Sequence, residues 1–175
     1  MFCINDSIMY GNTGVCKIID IRREKFDNEE ILYYILKPVY RENDATIYCP
    51  VGNDKVRLRK LLSAEEITEL IQSMSHTEPE WIDNDHLRRQ TFNEILKGGN
   101  HQELVQLIKT LDNHRENKIK EGKKFHLSDE KIMKQAEAVL YEEFAYVLNI
   151  MPDEVVPFIV DELEKSAKSK RHYEN

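Results

Sequence analysis

The chain has 175 residues and a mass of 20.7 kDa, with 41% hydrophobic and 33% charged residues. That balance suits one domain or two small ones around folded cores and excludes long disorder. The net charge of −7 argues against a protein that coats nucleic acid non-specifically, because such binding runs on counterion release by many cations. No stretch approaches the roughly 18–20 apolar residues of a membrane span. The opening MFCINDSIMYGNTG has no basic lead, apolar centre or small-residue cleavage site, so no signal peptide is expected and the expected location is the cytoplasm.

Residues 1–60 read as strands. Short apolar and β-branched runs lie at Met1–Met9, Val15–Ile21, Ile31–Leu36, Ala45–Cys49 and Val56–Leu58. Turn signals separate them: GNTG at 11–14, FDNEE at 26–30, RENDA at 41–45 and VGND at 51–54. Five such strands with short connections predict a small barrel of SH3 or Tudor type, whose remaining edge can accept a partner's strand.

Residues 61–175 read as an all-α domain of about five helices, giving an α+β chain divided near residues 60–62. Ser63 to Glu66 is a capping-box signature before ITELIQSM. A second helix is expected over about 83–97, stopped by Gly98-Gly99. A third starts near His101, carries Leu104, Leu107, Ile108 and Leu111 on one stripe, and fades at Gly122. Ser128 is the expected cap of a fourth, whose stripe is Ile132, Ala136, Val139, Leu140, Phe144, Val147 and Leu148. Pro152 suits the first turn of a fifth, to about residue 166, with SAKSKRHYEN as a frayed tail.

Charge divides the same way. Residues 1–60 hold ten Lys and Arg against nine Asp and Glu; residues 61–175 hold fifteen against twenty-three. Within the acidic half, HRENKIKEGKKFH at 114–126 has five cations and two anions. A small basic patch on an acidic body allows only a few phosphate contacts, so any nucleic-acid role needs a second partner's help. Cys3, Cys16 and Cys49 form no CxxC pair and are expected as buried, reduced thiols. Six scattered histidines form no ligand motif, and no phosphate-binding loop or nucleophile elbow occurs, so neither metal, cofactor, small-molecule substrate nor enzymatic activity is expected.

Trp81 is the only tryptophan and lies in the polar stretch HTEPEWIDND. It packs at a helix junction, or it is an exposed wedge that stacks on bases. Arg88 and Arg89 follow two helical turns on: a solvated face, or phosphate contacts. Arg22 and Arg23, with Lys17 and Lys25, make the strand half locally basic: plain solubility, or docking to acidic groups.

These segments, SIMYGNTGVCKIIDI, YYILKP, ATIYCPV, the lone tryptophan before LRRQTFNEILKGGN, and FHLSDEKIMKQAEAVLYEEF, together resemble the CarD/CdnL family of bacterial transcription regulators over about residues 1–165. The resemblance implies a Tudor-like domain that grips the RNA polymerase β subunit, here through Arg22, Arg23, Ile47, Tyr48 and Pro50. It implies a helical domain touching promoter DNA at the upstream fork of the melted bubble, with Trp81 as wedge and Arg88, Arg89, Lys123, Lys124 and Lys131 nearby. It also implies a nucleoid-associated protein of the cytoplasm. The chain departs from the pattern at Tyr10-Gly11-Asn12-Thr13-Gly14, which lacks the family's proline and histidine, and at Tyr48, where some members have arginine. A protein–protein adaptor without DNA contact is the alternative, favoured by the acidic helical half.

Overall fold

The first strand begins late because of two polar residues. In the computed structural model, which describes residues 1–26, 29–40, 45–53 and 56–173, Asn5 takes the left-handed φ of 75° and Asp6 Oδ2 accepts the Cys3 amide at 2.7 Å. The chain therefore turns before β1 (Ser7–Tyr10). β2 (Gly14–Phe26) and β3 (Glu29–Pro38) form the longest ladder, with a bulge at Ile18/Asp20 that leaves Ile19 exposed. β4 (Ile47–Pro50) and β5 (Leu58–Lys60) are short. The expected FDNEE, RENDA and VGND turns fall partly on residues 27–28, 41–44 and 54, outside the described residues.

All pairings are antiparallel in the order β4-β3-β2-β1-β5. The expected closed barrel is corrected here. β4 bonds β3, β5 bonds β1, and the two ends do not pair, so the described strands make an open five-stranded sheet. One face gathers Ile8, Cys16, Ile18, Tyr34, Leu36 and Cys49 into a core, with Phe2, Tyr10, Ile21, Ile47, Val51 and Leu58 packed around it. Cys3 is exposed, contrary to expectation, because it precedes the Asn5 turn.

The chain divides into two units, Met1–Leu61 and Leu62–Asn175. The second holds α1 (Ala64–Met74), α2 (Asp85–Gly98), α3 (His101–Lys120), α4 (Leu127–Leu148) and α5 (Val155–Tyr173). The capping box forms as read: Ser63 Oγ accepts the Glu66 amide, and Glu66 Oε2 accepts the Ser63 amide. Gly99 ends α2 at φ 61°, a left-handed turn that glycine adopts without Cβ strain. Two helix ends differ from expectation. His126, not Ser128, caps α4, because its Nδ1 accepts from both Ser128 N and Oγ. Pro152 opens a separate 3-10 turn, Pro152–Glu154, and α5 continues through most of the expected tail. Leu104, Leu107, Leu111, Ile132, Ala136, Val139, Leu140 and Phe144 are buried; Val147 and Leu148 are only half-buried.

Inside this core sits a carboxylate with no exposure, Glu143. Its Oε1 accepts the Leu62 amide at 2.9 Å, and its Oε2 lies 2.9 Å from His101 Nε2. One side chain of α4 thus ties the approach to α1 and the first residue of α3. Glu143→Ala leaves both half-buried partners unpaired, so it should lower stability by about 1–3 kcal/mol. Urea unfolding followed by the fluorescence of Trp81 checks this, since the sole tryptophan reports on the helical unit.

Candidate functional site

Strand alternation sorts the expected polymerase-contacting residues of the first unit onto two faces. Arg22 pairs across to Tyr33, and Tyr33 to Pro50, so these three share a face that also carries Tyr48. Arg22 Nη2 donates to Tyr48 Oη at 3.0 Å, and the guanidinium carbon lies 5.7 Å from the Tyr48 ring centre. Tyr33 meets the Tyr48 ring edge-to-face at 6.3 Å. Arg22 also donates to Glu24 Oε1 at 2.7 Å and Asp20 Oδ2 at 3.4 Å. Tyr48, 47% exposed, and Arg22 therefore form one polar–aromatic patch whose positive charge is shared with two acids.

Arg23 and Ile47, also expected at the polymerase, do not join that patch. Arg23 projects from the opposite face and lies 3.8 Å from Glu30, while Ile47 packs against the core. β4 contributes through its backbone instead. Val51 N donates to Leu32 O at 2.8 Å, so ladder alternation turns the main-chain groups of Tyr48 and Pro50 away from β3, along the sheet's outer edge.

The helical unit builds its site around the segment between α1 and α2. This segment has no regular structure, yet α3 side chains satisfy its backbone. The buried Thr110 Oγ1 accepts the Glu80 amide at 3.0 Å, Gln106 Nε2 donates to Glu78 O at 3.4 Å, and Lys109 Nζ donates to Met74 O at 2.9 Å. Trp81 follows immediately and is half-buried. His114, one helical turn after Thr110, stacks on the indole with ring centres 3.5 Å apart and planes 7° from parallel. The Arg88 guanidinium carbon lies 4.3 Å from the indole centre.

Arg88, expected at phosphates, supports the indole from within the unit. It is only 5% exposed. Its Nη2 lies 2.7 Å from Asp85 and 3.4 Å from the equally buried Asp129, and its Nη1 donates to Ile82 O at 2.9 Å. No acceptor faces its Nε; the indole is what the guanidinium has nearby. Arg89, Lys123, Lys124 and Lys131 are exposed, Lys123 with Glu121 at 2.9 Å. The basic segment 114–126 starts at the stacked His114 and ends at the His126 cap, so both its ends lie at the site. Among the described residues no cluster of three metal-ligating side chains occurs, and no helix is long and apolar enough to cross a membrane.

Residues 2–62 match the family model of the CarD-like/TRCF RID domain. The N-terminal unit is similar to a CarD-like/TRCF RID domain. The match supports the CarD-like assignment of the chain, and its span coincides with the first structural unit to within one residue at each end. The Arg22–Tyr48 patch and the β4 edge thus lie within the matched residues, while Trp81 and its partners lie beyond them. No curated protein matches the chain.

Thr110, His114 and Asp129 are the site residues that the sequence reading missed. A signal existed for the first two: a polar pair four residues apart, in register with the apolar stripe of α3. Burial holds His114 below the usual histidine range; Lys118 and Arg88 push the same way, while Asp129 and Glu121 oppose them. His114 is therefore neutral at pH 7. Because its folded pKa lies below the unfolded value of about 6.5, the unfolded chain binds more protons as pH falls through that value. The stack's stability should be fully present above pH 6.5 and decline below it. Trp81 fluorescence between pH 7.5 and 5 should show this loosening, and His114→Phe should remove that component.

Proposed function

We propose that this protein is a transcription regulator that docks on the RNA polymerase β subunit and stabilises the promoter open complex. The RID match over residues 2–62 carries the reading. RID domains are RNA polymerase-interacting modules of transcription proteins, and the CarD-like domain family itself is not a known enzyme class. Docking uses the β4 edge, where a strand of the β subunit adds to the sheet, and the Arg22–Tyr48 patch beside it. The tyrosine at 48 supplies an aromatic and hydroxyl contact where relatives offer a second guanidinium.

Docking raises the local concentration of the helical unit at the upstream edge of the bubble, so a few weak contacts to DNA suffice despite the acidic body. Arg89, Lys123, Lys124 and Lys131 supply phosphate contacts. Trp81 sits at the separated strands as a wedge. A group that fits only the melted junction binds the open complex better than the closed one, and each 1.4 kcal/mol of that difference shifts the equilibrium about tenfold. Shape readout in the minor groove requires little base specificity, so many promoters respond. The protein works in the cytoplasm, on the nucleoid, through its polymerase.

One observation favours the alternative, an adaptor joining the polymerase to another protein without touching DNA: the indole is already occupied by His114 and Arg88. Two substitutions separate the readings. Trp81→Ala should shorten the heparin-resistant lifetime of open complexes severalfold while polymerase binding persists; an unchanged lifetime selects the adaptor. Arg22→Glu should weaken binding to the β subunit about tenfold. Undiminished affinity in a β-subunit titration removes Arg22 from the docking surface.

A further inference from the structure

We infer that His114 and Arg88 are positioning residues that clamp Trp81 so that it meets its partner with the edge of the indole and with neither face. The inference rests on the reading that Trp81 is the group delivered to DNA, and it adds how the ring is held and presented.

The geometry leaves little choice about the faces. A parallel imidazole at 3.5 Å fills one side of the indole. A guanidinium carbon 4.3 Å from the same ring centre cannot share that side without overlapping the imidazole. The two groups therefore lie on opposite faces. Intercalation or stacking on a base needs at least one bare face. Neither is bare, yet the ring is only half-buried, so what reaches solvent is its rim.

Each jaw is fixed from behind. Arg88 is locked by Asp129 from α4, by Asp85 from its own first turn and by the Ile82 carbonyl. Swinging it off the ring would unseat a buried ion pair, a costly step in low dielectric. His114 is carried by α3, the helix whose Thr110 also holds the Glu80 amide next to the tryptophan. Three helices thus converge on one ring through side chains that contact one another or the segment's backbone. The ring neighbours of His114 are Trp81 and, at 6.4 Å, the tilted ring of Phe125. Its planar ring, more than its protons, is what the clamp uses.

The test uses the full chain and its single tryptophan. Acrylamide quenching of Trp81 fluorescence reads how tightly the ring is held in the free protein; the heparin-resistant open-complex lifetime reads its action. His114→Ala should raise the quenching constant about twofold and shorten the lifetime about threefold or more, the effect of losing one aromatic stack. Thermal unfolding and polymerase binding should stay near wild type. His114→Phe, which keeps a flat ring but cannot titrate or donate, should restore both readouts. If His114→Ala does not fold, His114→Leu takes its place, filling the volume without a stacking plane. Unchanged quenching in the Ala or Leu variant overturns the clamp. So does a folded His114→Phe that fails to rescue, since the imidazole's chemistry would then be the requirement. Trp81→Ala with unchanged lifetime would sink the function reading instead, and leaves the quenching comparison standing because that is made without polymerase or DNA.

Discussion

The arrangement of the helical unit depends on one ion pair out of water. Arg88 and Asp129 come from different helices and are almost wholly enclosed. A charge in that position is stable only if it is paired and most of its donors are satisfied, which binds α2 to α4 and to the Ile82 carbonyl. The consequence runs outward. With the guanidinium fixed, one face of Trp81 has a floor; with α3 seated against the same segment, the other face has His114. A polar residue normally found at the surface thus becomes the foundation for a half-exposed aromatic residue.

Glu143 acts by the same logic elsewhere in the unit. It is a second enclosed carboxylate, bonded to Leu62 N and His101 Nε2. The two buried acids of α4 lie fourteen positions apart, each anchoring other elements to the unit's longest helix. Apolar packing alone tolerates small shifts of register. Hydrogen-bonded carboxylates do not, because a shift strands donors. This gives a small acidic domain the rigidity to hold a half-exposed indole still.

What was legible in the sequence was local. The Ser63 capping box, the Gly99 stop and the stripes of α3 and α4 each depend on residues within four positions, and they form as read. Trp81 stood out as an aromatic with no apolar period. What was illegible was non-local. Arg88 meets Asp129 across 41 positions, and nothing within one helix distinguishes it from its exposed neighbour Arg89. Likewise five strands could be counted, but whether the outermost two would pair depends on ladders formed across the sheet. Alternation on the second strand separates Arg22 from Arg23, but which of the two shares a face with Tyr48 is set by the ladder with β3, which outruns the core it covers.

Pro50 closes β4 with its main chain turned outward, beside the outward amide of Tyr48. Proline has no amide hydrogen, so a visiting strand finds a donor at one rung and none at the next. The border of this sheet therefore admits a short, in-register guest and discourages endless end-on-end growth with copies of itself. A sheet with one seam left open is thereby protected, by one imino acid, from sticking to its siblings.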